Sequence, residues 1–343
     1  MSFEIEIPRR DNPALAQAVQ DRWNSLTKPP GSLGRLESLV LEYALMHGTA
    51  TPPLQSKTLV VFCADHGVTA ESVSAWPSEV TTQMVKNFVR GGAAISVLCR
   101  KKGIKPVIVD AGVNSDVEIG VLDRKISRGT RNLAREPAMT VPQVEIALRR
   151  GADLALELAA DVAGIGEMGI GNTTAASALL CAFAGVSPED SVGNGAGLNA
   201  AGVRRKIEVV RRALELHRPD SGDRVRTLAA LGGFEIAMMT GFLLGAATRR
   251  LPVVVDGFIA GAAALAARSI HPGVLDYLIF SHRSAERAHG VLLDALDARP
   301  LLDLEMRLGE GTGAALAIDL LEAALGLYKE MATFTEAQVA TQP

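Results

Sequence analysis

The sequence is poor in aromatic residues and in cysteine, and it carries no excess of positive charge. Aromatics make up 4% of the chain, against 33 glycines and an abundance of alanine. That balance suits helices packed closely over sites lined by backbone. The three cysteines, Cys63, Cys99 and Cys181, lie far apart with no C-x-x-C pair. Their scatter argues against a disulfide framework or a zinc site and fits reduced, buried thiols. A net charge of -3 offers no basic face for nucleic acid and no polybasic anchor for a membrane. The first residues, MSFEIEIPRRDN, hold no apolar run of the kind a secretory signal needs. The longest apolar runs, near 236–247 and 257–267, are too short to span a bilayer and are bounded by Arg249-Arg250 and Asp256. The expectation is a soluble, cytoplasmic protein.

Two familiar kinds of catalytic pattern are also missing. The six histidines show neither H-x-x-x-H nor H-E-x-x-H spacing, so His66 in CADHG reads as structural and no metal is expected. Ser32, Ser281 and Ser284 have no G-x-S-x-G setting, which leaves nucleophilic serine chemistry without support.

What is present is a rhythm of short, unalternating apolar runs between helical stretches. LVVFCA (59–64), PVIVDA (106–111), VAGIG (162–166), PVVVD (252–256) and YLIF (277–280) read as buried strands. Such runs predict an α/β fold with a Rossmann-like parallel sheet covered on both faces. Asn12-Pro13 opens a helix through about Trp23, KPPGS breaks it, and a second helix follows to about Met46. A long amphipathic helix starts near Gly313. Residues 1–50 and 313–343 are expected to form a second, smaller all-helical domain built from both chain ends, with 51–312 as the large domain.

The stretch GIGEMGIGNTT at 164–174 has several readings. Gly164, Gly166 and Gly169 spell G-x-G-x-x-G, and Gly166 to Thr173 spell a phosphate loop with Asn172 in place of lysine. Asn172 cannot reach outer phosphates as lysine does, which argues against a triphosphate. A dinucleotide loop calls for an acid at a strand end about 20 residues on; Asp190 has the spacing but lies in the turn SPEDS. Amides at a helix start, with Thr173 and Thr174, suit a single phosphate. A second glycine turn, GNGAG at 193–197, precedes a helix bearing Arg204, Arg205 and Lys206. Tight strand-to-helix packing explains either turn equally well. Glu167 and Glu310, each after a glycine and before a small-residue helix, suit either helix capping or a reaction in which positive charge develops on a sugar carbon. Asp256, at a strand end, is a substrate contact or a cap. An oxidoreductase using 164–169 and a non-catalytic nucleotide sensor remain as rivals.

The ordered set of segments resembles one family, the nicotinate-nucleotide–dimethylbenzimidazole phosphoribosyltransferases. The resemblance runs from KPPGSLGRLE (28–37) and FCADHGVTAESVSAWPSEVTTQMV (62–85) through GIGEMGIGNTTAASALL (164–180) and GNGAG (193–197). It continues through GGFEIAMMTGFLLGAA (232–247), VVVDGFIAGAAAL (253–265), SHRSAERAHG (281–290) and RLGEGTGAALA (307–317). It implies phosphoribosyl transfer from nicotinate mononucleotide to 5,6-dimethylbenzimidazole in cobalamin lower-ligand assembly, by a homodimer that needs no cofactor. It implies Glu310 as catalytic base and Glu167 as supporting acid. The phosphate and ribose contacts would come from Gly169, Gly171, Asn172, Thr173, Thr174, Gly193, Asn194, Gly195 and Lys206, with Asp256 nearby. The base pocket would draw on Ser78 and Gln83, with Met168 and Leu308 as walls. The chain departs from the expected pattern at Arg287, where proline is expected, and at Glu305, where glycine is common.

Overall fold

The computed structural model describes residues 5–116, 118–195, 197–220 and 222–340. At the sheet's centre lie β1 (Lys57–Ala64) and β4 (Val162–Met168), flanked by β2 (Lys105–Gly112), β3 (Leu122–Asp123), β5 (Val253–Val255) and β6 (Leu278–Phe280). A separate short pair joins β7 (His282–Arg283) to β8 (Leu302–Asp303). Before the sheet come helices α1 (Pro13–Ser25) and α2 (Arg35–His47); α3 (Glu79–Arg90) and α4 (Ala94–Lys102) connect β1 to β2. Next come α5 (Val141–Glu157), α6 (Asn172–Ala184), α7 (Pro188–Ser191), α8 (Ala200–His217), α9 (Arg224–Leu231) and α10 (Phe234–Thr248). Then follow α11 (Phe258–Ile270), α12 (Arg287–Ala295) and α13 (Thr312–Glu330).

The six strands run parallel in the order β3-β2-β1-β4-β5-β6. This is the doubly wound arrangement expected from the apolar runs, and all five of those runs coincide with strands. The direction of winding reverses between β1 and β4. Loops leaving the carboxyl ends of those two strands diverge, which opens a crevice where such sheets take ligands.

Parity along β1 assigns its two faces. Phe62 packs edge-on to Phe242 of α10, with ring centroids 5.7 Å apart. Leu59 points the opposite way, beside Ala314 and Ile318 of α13 near Gly164. Helix α10 is buried nearly all round, so its long apolar run makes a core helix. It touches α5 backbone to backbone: a Cβ on Gly241 would lie 2.0 Å from the Leu148 carbonyl oxygen, and one on Gly151 would lie 1.9 Å from that of Met238. The glycine-rich composition is used here to bring helices together. Among the described residues no helix is long and apolar enough to cross a membrane.

The two ends of the chain meet. Arg22 of α1 donates to the carbonyl oxygens of Tyr328, Lys329 and Met331 at 3.2–3.3 Å, satisfying acceptors that the end of α13 leaves open. Trp23 stacks edge-on against Tyr328, and Leu26 bridges Thr333. Helix α13 also packs on the central sheet through Ala314 and Ile318. It therefore belongs to the sheet's cover as well as to the helical end of the molecule.

Candidate active site

The crevice between β1 and β4 holds a cavity of about 450 Å³. Glu167 and Met168 enter it from the end of β4, Gly169, Gly171, Asn172 and Thr173 from the turn and first residues of α6, and Gly195 from the second glycine turn. Leu308 and Glu310 close it from the segment before α13.

Glycine Cβ positions show how the two acids come together. A Cβ on Gly166 would sit 2.2 Å from the Gly311 nitrogen, and one on Gly309 would sit 2.6 Å from Glu167 Oε1. One on Gly164 would crowd Leu59, Ile318 and Ala314. The first two glycines of G-x-G-x-x-G thus lie inside the strand, where they admit the 309–311 turn and α13. No dinucleotide loop is formed. The phosphate-loop frame ends differently from a Walker loop as well, because the Asn172 amide donates to Glu167 Oε2.

Gly309, Glu310 and Gly311 have φ of 85°, 63° and 88°. Three successive left-handed residues turn the chain sharply, and only the middle one carries a side chain. For a residue with a Cβ that conformation costs about 1–2 kcal/mol. Asp256 holds the turn: its carboxylate accepts from the amides of Gly311, Gly313 and Ala314 at 2.9–3.2 Å. Asp256 is buried behind the cavity wall and caps α13.

Both acids are buried, and their protonation follows. Burial, then the nearby Glu235 carboxylate, pushes Glu167 up to about 8 against the opposing Asn172 hydrogen bond. Burial and Asp256 push Glu310 up to about 7, opposed by the Ile95 amide. Glu310 Oε2 has no hydrogen-bond partner among the described residues. Beneath the turn at 169–172, His66 and Glu235 form a fully buried pair 2.7 Å apart. Burial works to lower the His66 pKa, but Glu235 outweighs it and the net shift is upward. His66 is therefore structural, supporting the turn from below.

Lys206 lies behind the cavity at the opposite end and donates to Thr173 Oγ1 at 2.6 Å. Burial pulls its ammonium down to about 8, with Glu286 partly offsetting that. Thr174 and Gly193 are buried behind the lining, and Asn194 is exposed. Ala196, in the same turn, lies outside the described residues.

Val80 and Met84 line the cavity, whereas Ser78 and Gln83 do not, and Gln83 is exposed. Val73, Trp76, Ile170 and Leu198 extend the apolar lining, and His282, Ser284 and Glu286 add polar groups. The short β7 presents His282, a position that strand-like periodicity did not expose. Arg287, one departure from the pattern, points to Asp190 at 3.5 Å near the surface, and Glu305 takes a φ of 56°, where glycine is at ease. Among the described residues no group of three or more His, Cys, Asp or Glu is arranged to hold a metal.

Residues 7–339 match the family model described as phosphoribosyltransferase. The nicotinate-nucleotide–dimethylbenzimidazole phosphoribosyltransferase of Cupriavidus necator is 51% identical over 348 residues, covering 99% of both chains. The protein of that name from Roseiflexus sp. is 49% identical over 331 residues, covering 95% of this chain and 94% of the relative. The crystal structure of the enzyme of that name from Thermus thermophilus superposes with a TM-score of 0.90 at 43% identity, covering 97% of this chain and all of the other. Identity at that level across the length, with the same fold around the cavity, places the chain in the nicotinate-nucleotide–dimethylbenzimidazole phosphoribosyltransferase family.

Proposed function

We propose that this protein transfers phosphoribose from nicotinate mononucleotide to 5,6-dimethylbenzimidazole, yielding α-ribazole 5′-phosphate and nicotinate in cobalamin lower-ligand assembly. The carrying observation is that Glu167, packed against Gly309, and Glu310, in the same turn, are both buried and face one cavity. Nicotinate joined to ribose is a pyridinium. When the C1–N bond breaks, its electron pair returns to a neutral ring nitrogen, and departure requires no proton. The incoming base must lose one: Glu310 accepts the azole N–H proton while the other ring nitrogen bonds to C1 from the opposite face. Attack from that side inverts the anomeric centre from β to α.

Glu167, when ionised, faces the positive charge that develops at C1 and the ring oxygen. Lys206, Thr173 and the Gly195 amide hold the 5′-phosphate and so fix the sugar. Met168 and Leu308, with Val80 and Met84, receive the methylated ring. We further propose a cytoplasmic homodimer in which α1, α2 and α13 form the small helical unit. Trp76 and Leu308, 54% and 59% exposed, lie on the cavity lining where a second copy would cover them; sedimentation tests this.

Metal-stripped protein incubated with nicotinate mononucleotide and several bases, followed by mass and anomer identification of the ribotides, tests the reaction. Glu310→Gln is expected to lower turnover by about 100-fold or more, the scale of general-base loss, while nicotinate mononucleotide still binds. Normal turnover by that variant would remove Glu310 as the base.

A further inference from the structure

Glu286 is a buried acid to which the proposed reaction gives no part. It is the N-cap of α12 and lines the cavity at the Lys206 end. One carboxylate oxygen accepts from the Gly195 amide at 3.1 Å. The other is enclosed and has no hydrogen-bond partner among the described residues. It comes so close to the second glycine turn that a Cβ on Gly193 would lie 1.8 Å from it. Thr173 Oγ1 and Lys206 Nζ face the same turn, 3.3 and 3.5 Å from the point where Gly195 would carry a Cβ.

An amide N–H, a hydroxyl and a buried ammonium around one point make an anion seat. The carboxylate at that seat is the protein's own.

We propose that Glu286, held on the Gly195 amide beside Thr173 and Lys206, is an internal stand-in for phosphate until the 5′-phosphate of a nucleotide displaces it. The proposal rests on the reading above in which the Lys206 end takes phosphate. Two anions cannot share a seat with one ammonium and one amide without strong repulsion in a site of low dielectric. Glu286 sits at the N-cap position without a side-chain cap bond to break, and its three side-chain torsions let the carboxyl swing away without moving backbone. Because the stand-in must leave, each phosphate-bearing ligand binds more weakly than the seat alone would allow. Free inorganic phosphate, with no ribose or ring contacts to add, is the ligand most strongly turned away.

Glu286→Gln removes the charge but keeps an oxygen for the Gly195 amide. Affinities of the variant and the wild type are measured by calorimetry for nicotinate mononucleotide, for nicotinate riboside (which lacks the phosphate) and for inorganic phosphate. The variant should bind the mononucleotide and inorganic phosphate about tenfold tighter, the scale of removing one near charge, with riboside affinity unchanged. If Glu286 only braces the glycine turn, the variant binds the mononucleotide equally or more weakly, and the proposal is overturned. Lys206→Met separates this failure from that of the underlying reading. It should abolish the preference for mononucleotide over riboside; if the preference persists, the seat itself is misplaced and the Glu286 proposal falls with it. Riboside binding reports folding, and Glu286→Ser, which also removes the charge, gives the same comparison if the glutamine variant loses it.

Discussion

Glu310 can act as a base only once it is ionised, and its environment delays that to about 7. Glu167 can face a cation only above about 8. Both needs have the same sign, so kcat/KM should climb steeply from pH 6 and less steeply past 7, then turn over above 8, where the Lys206 ammonium that holds the phosphate gives up its proton. A bound pyridinium favours both carboxylates, so the profile of kcat should lie at lower pH than that of kcat/KM. A flat profile between pH 6 and 9 would contradict both assignments. Stability runs the other way. Glu167 keeps its proton in the folded protein to about 8 but loses it near its ordinary value of 4.5 when unfolded. Stability from this group is therefore full below about 4.5 and is lost as pH rises towards 8. Glu167→Gln, neutral at every pH, should melt higher than wild type at pH 8.5, by roughly 1–3 kcal/mol of unfolding free energy, while losing most activity. Thermal melts at pH 5 and 8.5 read the difference. Both acids were legible in the sequence as Gly-Glu pairs before small-residue helices, but their chemical roles came from the family resemblance. Val80 and Met84 were not singled out, because a motif gives residue types in order but not which of them line a cavity.

The turn at 309–311 shows how elements cooperate to position one side chain. It stays left-handed because Asp256, on a different strand end, accepts three hydrogen bonds from the turn and the start of α13. Asp256→Ala leaves those buried amides unpaired, which should cost about 3 kcal/mol or more, and it frees Glu310 from its fixed position. A lower melting temperature together with a fall in kcat larger than any change in nucleotide affinity is the expected outcome, and an unchanged kcat would count against the positioning. Unbroken apolar runs made β1, β2, β4, β5 and β6 visible in advance. The two-residue strands β3, β7 and β8 are too short to carry a period, so His282 on β7 could not be located. The glycines at 164 and 166 illustrate the converse: their spacing matched a phosphate-binding fingerprint, yet their use is to let another segment's backbone approach.

For the molecule as a whole, one guanidinium stands at the join between the described chain's two ends. Arg22 supplies three hydrogen bonds to the end of α13 from one guanidinium. Arg22→Ala should lower stability by about 1–3 kcal/mol, and hydrogen exchange should show the last turn of α13 opening first; protection there equal to wild type would refute this. The parallel sheet and its helical covers were legible from composition and period, whereas the meeting of the ends depends on contacts too distant in sequence for any pattern to reveal. Helix α13 lies over Leu59 and Gly164 yet follows every strand in the chain. On a ribosome, the nascent sheet must therefore wait with that patch uncovered, and the second acid joins the first only after every strand has been made. A protein wired in this way cannot be active in part. Its half-made chains expose an apolar surface that chaperones would have to shield.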